Sequence, residues 1–513
     1  MSAFERILTL DGRLFAADTP APAGSQPKPP ETPGEQSQAP PKPPEIEEKP
    51  PVVTEHEIKI RGKSLKYFVT TGMMPIKNEK GETEANLFYM AYTVNSAEGD
   101  PRRPLMFSFN GGPGSSSVWL HLGALGPRRV VMEAEGWMPA PPFNLVDNDD
   151  TWLDLTDIVF IDPVDTGYSR ATTEDLSKQY REINKDIEAI GEFIRLYLTR
   201  NKRWSSALYL VGESYGTFRS AGLAGHLIER GIAFNGIVLV SSILNLQTVV
   251  FGPGNDLPYV MYVPTFAATA WYHKRLAKDL QRLSLEKFLD EAEAWAIGDY
   301  HAALAKGDAL AEKERTAIVA ELARYAGLSE EYVDFSNLRV EIQRFCKELL
   351  RSDRRTVGRL DSRYTGIDER NLSEKPDFDP SMAAIRPPFT AMFNNYVRRE
   401  LNYESDAEYH ILRSLEWNWG AADDGHPDTS EALRSAFAKN PYLKLFVASG
   451  HYDLATPYFA TEYTLNHMNL DPSQRANIRV EEYEVGHMVY LESKALSKLK
   501  TDVAAFLADA RRR

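Results

Sequence analysis

Cysteine is almost missing from these 513 residues: Cys346 stands alone, so no intrachain disulfide can form and nothing in the fold can depend on one. Also missing is any apolar stretch near the roughly 18 residues that a helix needs to cross a bilayer. Positive charge is in deficit. Lys and Arg number 59 against 73 Asp and Glu, a net charge of −14. A nucleic acid or an anionic membrane gains nothing from such a surface, so neither is an expected partner. Residues 1–17 carry Glu5, Arg6, Asp11 and Arg13 and lack the apolar run of roughly 7–15 residues found in a secretory signal.

What is present is unevenly distributed. Residues 20–51 crowd proline together with Glu, Gln and Lys, a composition that cannot bury enough surface to offset ordering, so residues 1–52 are predicted to be a disordered, extended tether. A tether before a catalytic domain suits an envelope or exported protein, and a periplasmic or secreted location is the expectation. Alternation over 55–60 and 65–69 predicts an opening hairpin around Arg61-Gly62. The segments 87–94, 105–109, 158–161, 208–211, 237–240, 443–447 and 478–483 read as the remaining strands. Helical spacing at 183–197 and 215–229 alternates with them, which predicts a mostly parallel central sheet. The alternation stops after about residue 250. Residues 275–350 have helical periods and 351–435 are irregular with aromatics. The chain therefore reads as a core in two parts, 53–251 and 436–513, around an inserted, mainly helical cap over 252–435. The histidines at 273 and 410 sit among apolar and aromatic residues and read as structural.

The most telling segment is Gly212-Glu213-Ser214-Tyr215-Gly216. It follows an apolar strand and precedes a helix, the setting in which a sharp turn between small residues lifts a serine nucleophile into a site. The helix opening behind Ser214 offers unpaired N–H groups to a developing negative charge. A second donor is expected from a glycine-rich loop after an earlier strand, and Asn110-Gly111-Gly112-Pro113-Gly114 supplies it. The oxyanion hole is thus assigned to the backbone N–H groups of Gly112 and Tyr215. That loop is no phosphate cradle, because Ser115-Ser116-Ser117 follows it without the Lys-Ser/Thr pair. Asp147, Asp149 and Asp150 lack the spacing and closing glutamate of a calcium loop. No metal and no cofactor is called for.

A serine nucleophile needs a base, and the base needs a carboxylate to orient it. In this kind of site the order along the chain is Ser, acid, His. Asp453 lies in the loop after the strand at 443–448, which Ser449-Gly450 is expected to break. His487 leaves the strand at 478–483 through Gly486. His451 is the alternative base.

These motifs, with Phe160-Ile161-Asp162-Pro163, Gly167-Tyr168-Ser169, Pro457-Tyr458 and Gly486-His487-Met488, resemble the serine carboxypeptidases over residues 105–490. The resemblance implies an α/β-hydrolase fold and removal of one residue from the free C-terminus of a peptide. It implies that Asn110, the Gly111 N–H and Glu213 bind the substrate's terminal carboxylate, and that Tyr168 and Trp119 line the cleft. A glutamate facing a carboxylate is repulsive unless one of the two carries a proton. Two departures matter. Ser115 stands where the family usually has cysteine, so thiol sensitivity should be absent. Ala124 stands where it often has a second glutamate, so activity should extend towards neutral pH. An esterase or acyltransferase using the same triad is the alternative, and the absence of disulfides fits a bacterial-type member.

Overall fold

The structure, a computed structural model, describes residues 49–95, 99–420 and 425–511. Most of the predicted tether, residues 1–48, lies outside the described residues.

A ten-stranded sheet organises the chain. Strands β1 (Val52–Ile60), β2 (Lys63–Lys77) and β3 (Thr83–Val94) are antiparallel. Arg61 and Gly62, both at positive φ, make the turn of the first hairpin. Next come β4 (Leu105–Phe109), β5 (Asp157–Ile161), β6 (Leu208–Ser214), β7 (Gly236–Ser242), β8 (Lys444–Gly450) and β9 (Ile478–Tyr483). These six are parallel to one another, in the order β3-β5-β4-β6-β7-β8-β9, with β5 antiparallel to β3. A two-residue strand, Arg170–Ala171, adds to β3. The chain leaves β4 towards one side to form β5 and returns on the other as β6. Crevices open at the carboxyl ends of strands where such a sheet changes direction.

Period-two alternation sends side chains to two cores. Met106, Phe160, Val211, Val238 and Phe446 lie on one face, and Phe107, Val159, Leu210, Leu239 and Val447 on the other. Both faces are therefore apolar, as a parallel sheet covered by helices requires. The longer helices are α1 (Ile183–Arg200), α2 (Tyr215–Ile228), α3 (Leu257–Tyr272), α4 (Leu285–Trp295), α5 (Glu312–Ala326), α6 (Pro380–Arg399), α7 (Ser430–Lys439) and α8 (Ser493–Asp509). Helices α1, α2 and α7 cover the second face through Phe193, Leu223 and Phe437. Helix α8 covers the first through Leu499, Val503 and Phe506.

Between β7 and β8, helices α3 and α5 share a core with Tyr215, Phe218 and Ile243 behind the β6 turn. Two sequence expectations fail in this part of the chain. The stretch 351–435 is not irregular throughout: α6 runs for 20 residues with Pro387 and Pro388 inside it. Interior prolines remove backbone donors, but Phe389, Phe393, Tyr396 and Val397 bury against the sheet, and that burial holds the helix. Likewise Ser449-Gly450 does not break β8, which pairs through both residues with Glu482 and Tyr483. Gly450 serves close packing, since a Cβ there would collide with the Gly486 carbonyl.

Candidate active site

Strand β6 ends at Ser214, held at φ 60° and ψ −130°, and α2 starts at the next residue. A non-glycine residue in this region costs about 1–3 kcal/mol and persists only where its surroundings enforce it. Here they do. A Cβ on Gly212 would collide with the Gly216 carbonyl, and one on Gly216 would lie 2.8 Å from the Phe109 carbonyl oxygen. The turn is closed by backbone contact. A Cβ on Gly111 would lie 2.6 Å from the Gly216 nitrogen and collide with that of Tyr215. The loop after β4 therefore lies directly on the first turn of α2, where N–H groups lack intrahelical acceptors. Gly112, at φ 104°, borders the cavity beside Ser214.

Asn110 joins these segments. Its Nδ2 donates to Glu213 Oε1 at 3.0 Å, its Oδ1 accepts from the Leu120 N–H at 3.1 Å, and its carbonyl accepts from Arg219 at 2.7 Å. Arg219 in turn is paired with Asp186 at 2.8 Å. Glu213 is buried, and its second oxygen has no hydrogen-bond partner. Burial pushes its carboxyl up to about 7, with the charge of Asp453 adding to the rise and His487, Tyr490 and Asn110 opposing it.

On the other side stands His487. Its Nδ1 bonds to Asp453 Oδ2 at 2.7 Å. Asp453 is fully buried and also accepts from the Ala455 and Thr456 N–H groups at 2.7 and 3.0 Å and from the Thr456 hydroxyl at 2.7 Å. Burial works to lower the imidazole pKa, but the charge and hydrogen bond of Asp453, helped by Glu213, outweigh it and leave the value raised. The ring is fixed from its backbone too. Its N–H donates to the Leu360 carbonyl at 2.6 Å, and its carbonyl accepts from the Ser241 hydroxyl at 2.5 Å. The preceding Gly486 N–H donates to Asp361 Oδ2 at 3.2 Å. Asp361 is itself paired with Arg363 at 2.7 Å, and Arg363 with Glu492 at 2.9 Å.

Asn110, Gly111, Gly112, Glu213, Ser214 and His487 all line one cavity, open to solvent, with about 660 Å³ of atom-free space. Asp453 and Tyr215 lie behind its wall, buried. The alternative base, His451, is engaged elsewhere, with Nε2 on Glu482 at 2.7 Å. Trp119 lines the cavity, but Tyr168 does not. Tyr168 is drawn into an aromatic cluster, edge-on to Phe88 and Tyr409 at 5.1 and 4.9 Å. His273 bonds to the Ser362 carbonyl at 2.7 Å, and His410 pairs its backbone with Gly167.

Sequence reasoning missed Arg359, Leu360, Met382 and Ile385, which form a cavity wall. It also missed Tyr490, whose ring packs over Gly123 and whose hydroxyl acts on Glu213. No local motif marks any of them. The interior prolines of α6 could have been weighed against its buried aromatic spacing, which would have placed Met382 and Ile385 on a helix.

The sheet order is that of an α/β-hydrolase fold, with the strained serine turn and the Asp453–His487 pair at the carboxyl ends of its strands. A sequence profile described as serine carboxypeptidase matches residues 63–501, and the chain belongs to that family. Among curated relatives, the pheromone-processing carboxypeptidase KEX1 of Saccharomyces cerevisiae is 28% identical over 155 residues, 28% of this chain and 20% of that protein. Serine carboxypeptidase-like 50 of Arabidopsis thaliana is 28% identical over 220 residues, 42% of this chain and 44% of that protein. The matched stretches thus span less than half of either relative. A crystal structure of KEX1(delta)p, a prohormone-processing carboxypeptidase from Saccharomyces cerevisiae, shares the fold with a TM-score of 0.50 at 15% identity, over 86% of this chain and 91% of that one.

Proposed function

We propose that this chain is a serine-type carboxypeptidase that removes the last residue of a peptide with a free C-terminus. Ser214 Oγ attacks the last peptide carbonyl while His487 takes its proton. The N–H groups of Gly112 and Tyr215 hold the oxyanion, and Asp453 orients and stabilises the imidazolium. The tetrahedral species collapses, the C–N bond breaks, and His487 returns the proton to the leaving amino acid. Water, deprotonated by His487, then attacks the acyl carbon, the ester C–O bond to Ser214 breaks, and His487 returns the proton to Ser214 Oγ. Every group transferred is accounted for by the substrate, water and these side chains.

One observation carries the exopeptidase reading: the Asn110–Glu213 hydrogen bond of 3.0 Å with an unpartnered, buried Glu213 oxygen beside Ser214. A protonated Glu213, with the Asn110 amide and the Gly111 N–H, can accept a terminal carboxylate that an ionised glutamate would repel. The segment 252–435 we read as a cap, because Arg359, Met382 and Ile385 come from it to wall the cavity. We further read the protein as exported to the periplasm or secreted, on the proline-rich composition of residues 20–51. Among the described residues no helix is long and apolar enough to cross a membrane. A periplasmic fraction lacking the protein in its native host would overturn export.

The direct test is mass-spectrometric release of the last residue from an N-blocked peptide and from its C-terminal amide, pH 4 to 8, with Ser214→Ala as control. Release from the acid alone, lost in the variant, is expected. Hydrolysis of a simple ester by Ser214 with neither peptide cleaved would assign an esterase or acyltransferase instead.

A further inference from the structure

The described residues bury four arginines: Arg203, Arg219, Arg359 and Arg363. Three have carboxylate partners. Arg203 meets Asp157 at 2.8 Å, Arg219 meets Asp186 at 2.8 Å, and Arg363 meets Asp361 at 2.7 Å and Glu492 at 2.9 Å. Arg359 is the exception. It is 8% exposed, its buried Nε has no hydrogen-bond partner, and no carboxylate among the described residues is ion-paired with it. It also lines the cavity that holds Ser214 and His487. A buried guanidinium without a counter-charge is costly, because desolvation is not offset. An incoming carboxylate would offset it, and the flat fork of an arginine suits a carboxylate in two-point contact.

The group is held in place at its backbone. The Arg359 N–H donates to Asp379 Oδ1 at 3.1 Å, and its carbonyl accepts from the Leu454 N–H at 3.0 Å. Asp379 caps α6 through Oδ1, which also accepts from the Ser381 N–H at 2.9 Å and the Ser381 hydroxyl at 2.5 Å; its Oδ2 is buried without a hydrogen-bond partner and makes no ion pair with the Arg359 guanidinium. The next residue, Leu360, is the one that holds the His487 N–H. Arg359 therefore stands on the histidine side of the cavity, and its charge acts on His487. The Asn110–Glu213 pair stands on the serine side. The cavity has two polar poles rather than one.

We propose that Arg359 is a specificity-determining residue that binds the side-chain carboxylate of an Asp or Glu adjoining the scissile bond. This rests on the carboxypeptidase reading, in which the terminal carboxylate occupies the other pole. The preferred substrates are then peptides with an acidic residue in one of their last two positions.

The test compares N-blocked peptides that differ only by Glu against Gln, placed at the last or the penultimate position. Wild type should favour Glu by roughly tenfold or more in kcat/KM at one of the two positions, the scale of a charge-assisted hydrogen bond. Arg359→Met should bring the ratio to about one, and Arg359→Lys, which keeps the charge, should retain part of it. A wild-type ratio at or below one at both positions would overturn the proposal. So would an equal slowing of Glu and Gln peptides by Arg359→Met, since the arginine would then serve the terminal carboxylate. Calorimetric binding of the same peptides to Ser214→Ala reads Arg359 without turnover: tighter Glu binding, lost in the double variant, supports the subsite, and equal affinities refute it. Should wild type release no residue from any peptide, the carboxypeptidase reading falls, while this binding comparison still decides the arginine's role.

Discussion

The two walls of the cavity are built on different principles. On the serine side, Asn110, Gly111, Gly112, Glu213 and Ser214 stand at the ends of β4 and β6, paired neighbours in one sheet. Geometry there comes from backbone meeting backbone, with glycines wherever a Cβ would collide. On the histidine side, Arg359, Leu360, Met382 and Ile385 come from the long connection between β7 and β8 and reach the cavity through side-chain packing and a few hydrogen bonds. In the proposed mechanism the first wall carries the reacting groups, and its backbone contacts leave almost no room for a Cβ. The second would face the substrate, and it supports His487 through the Leu360 carbonyl. Reaction type should therefore follow the first wall and substrate choice the second.

That division can be broken by substitution. Ser214→Ala should lower kcat on the order of 10⁴-fold or more, measured by residue release, with the folded state checked by circular dichroism. Gly111→Ala comes next. Its new Cβ meets the Tyr215 nitrogen, the proposed oxyanion donor, so kcat should fall on the order of 10²–10³-fold, with KM rising as well because the Gly111 N–H belongs to the proposed carboxylate site. Asp361→Ala, behind the second wall, removes the support of the Gly486 turn. It should lower kcat by about 10- to 100-fold, as a misplaced base does. A loss as large as that of Ser214→Ala would erase the distinction between the walls.

The pH profile sharpens it. Burial pushes the Glu213 carboxyl up to about 7, so its neutral form, the one proposed to accept a terminal carboxylate, dominates below that value and is lost above it. His487 must be neutral to act as base and, with its pKa raised by Asp453, is lost as base on the acid side. Peptide acids should thus show a bell-shaped kcat/KM, while simple esters lack the alkaline fall near 7. Glu213→Gln should remove that fall for peptides as well. A sharp optimum below about pH 5, near the carboxyl reference values, would contradict this account. Smallest of all is the response to thiol reagents. Cys346 is buried outside the cavity lining, and burial raises its thiol pKa, so treatment of the native enzyme should leave activity unchanged.

Legibility in the sequence follows the same line. The turn at Ser214 could be read because strain, close approach and helix start all impose residue types within five positions. Strand β4 was placed to the residue because its apolar run ends abruptly at Asn110-Gly111. Helix α6 was not, since its stability comes from Phe389, Phe393 and Tyr396 meeting a sheet assembled from distant segments, and its prolines argue locally for a break. Arg359 was invisible for a related reason. Nothing in its neighbourhood distinguishes it from arginines that face solvent, and only the folded arrangement shows that, among the buried arginines of the described residues, it alone lacks an ion-pair partner.

The hold that Leu360 and Asp361 keep on His487 and Gly486 also bears on how the molecule comes apart. Proteins open in cooperative units of unequal stability, and here the proposed base, His487, depends on a segment outside the sheet. Detachment of the 358–364 loop would release the histidine while β4, β6 and β8 stayed paired. Enzyme activity should therefore vanish at a lower denaturant concentration than the sheet's circular dichroism signal, making catalysis a reporter of whether this one loop is seated.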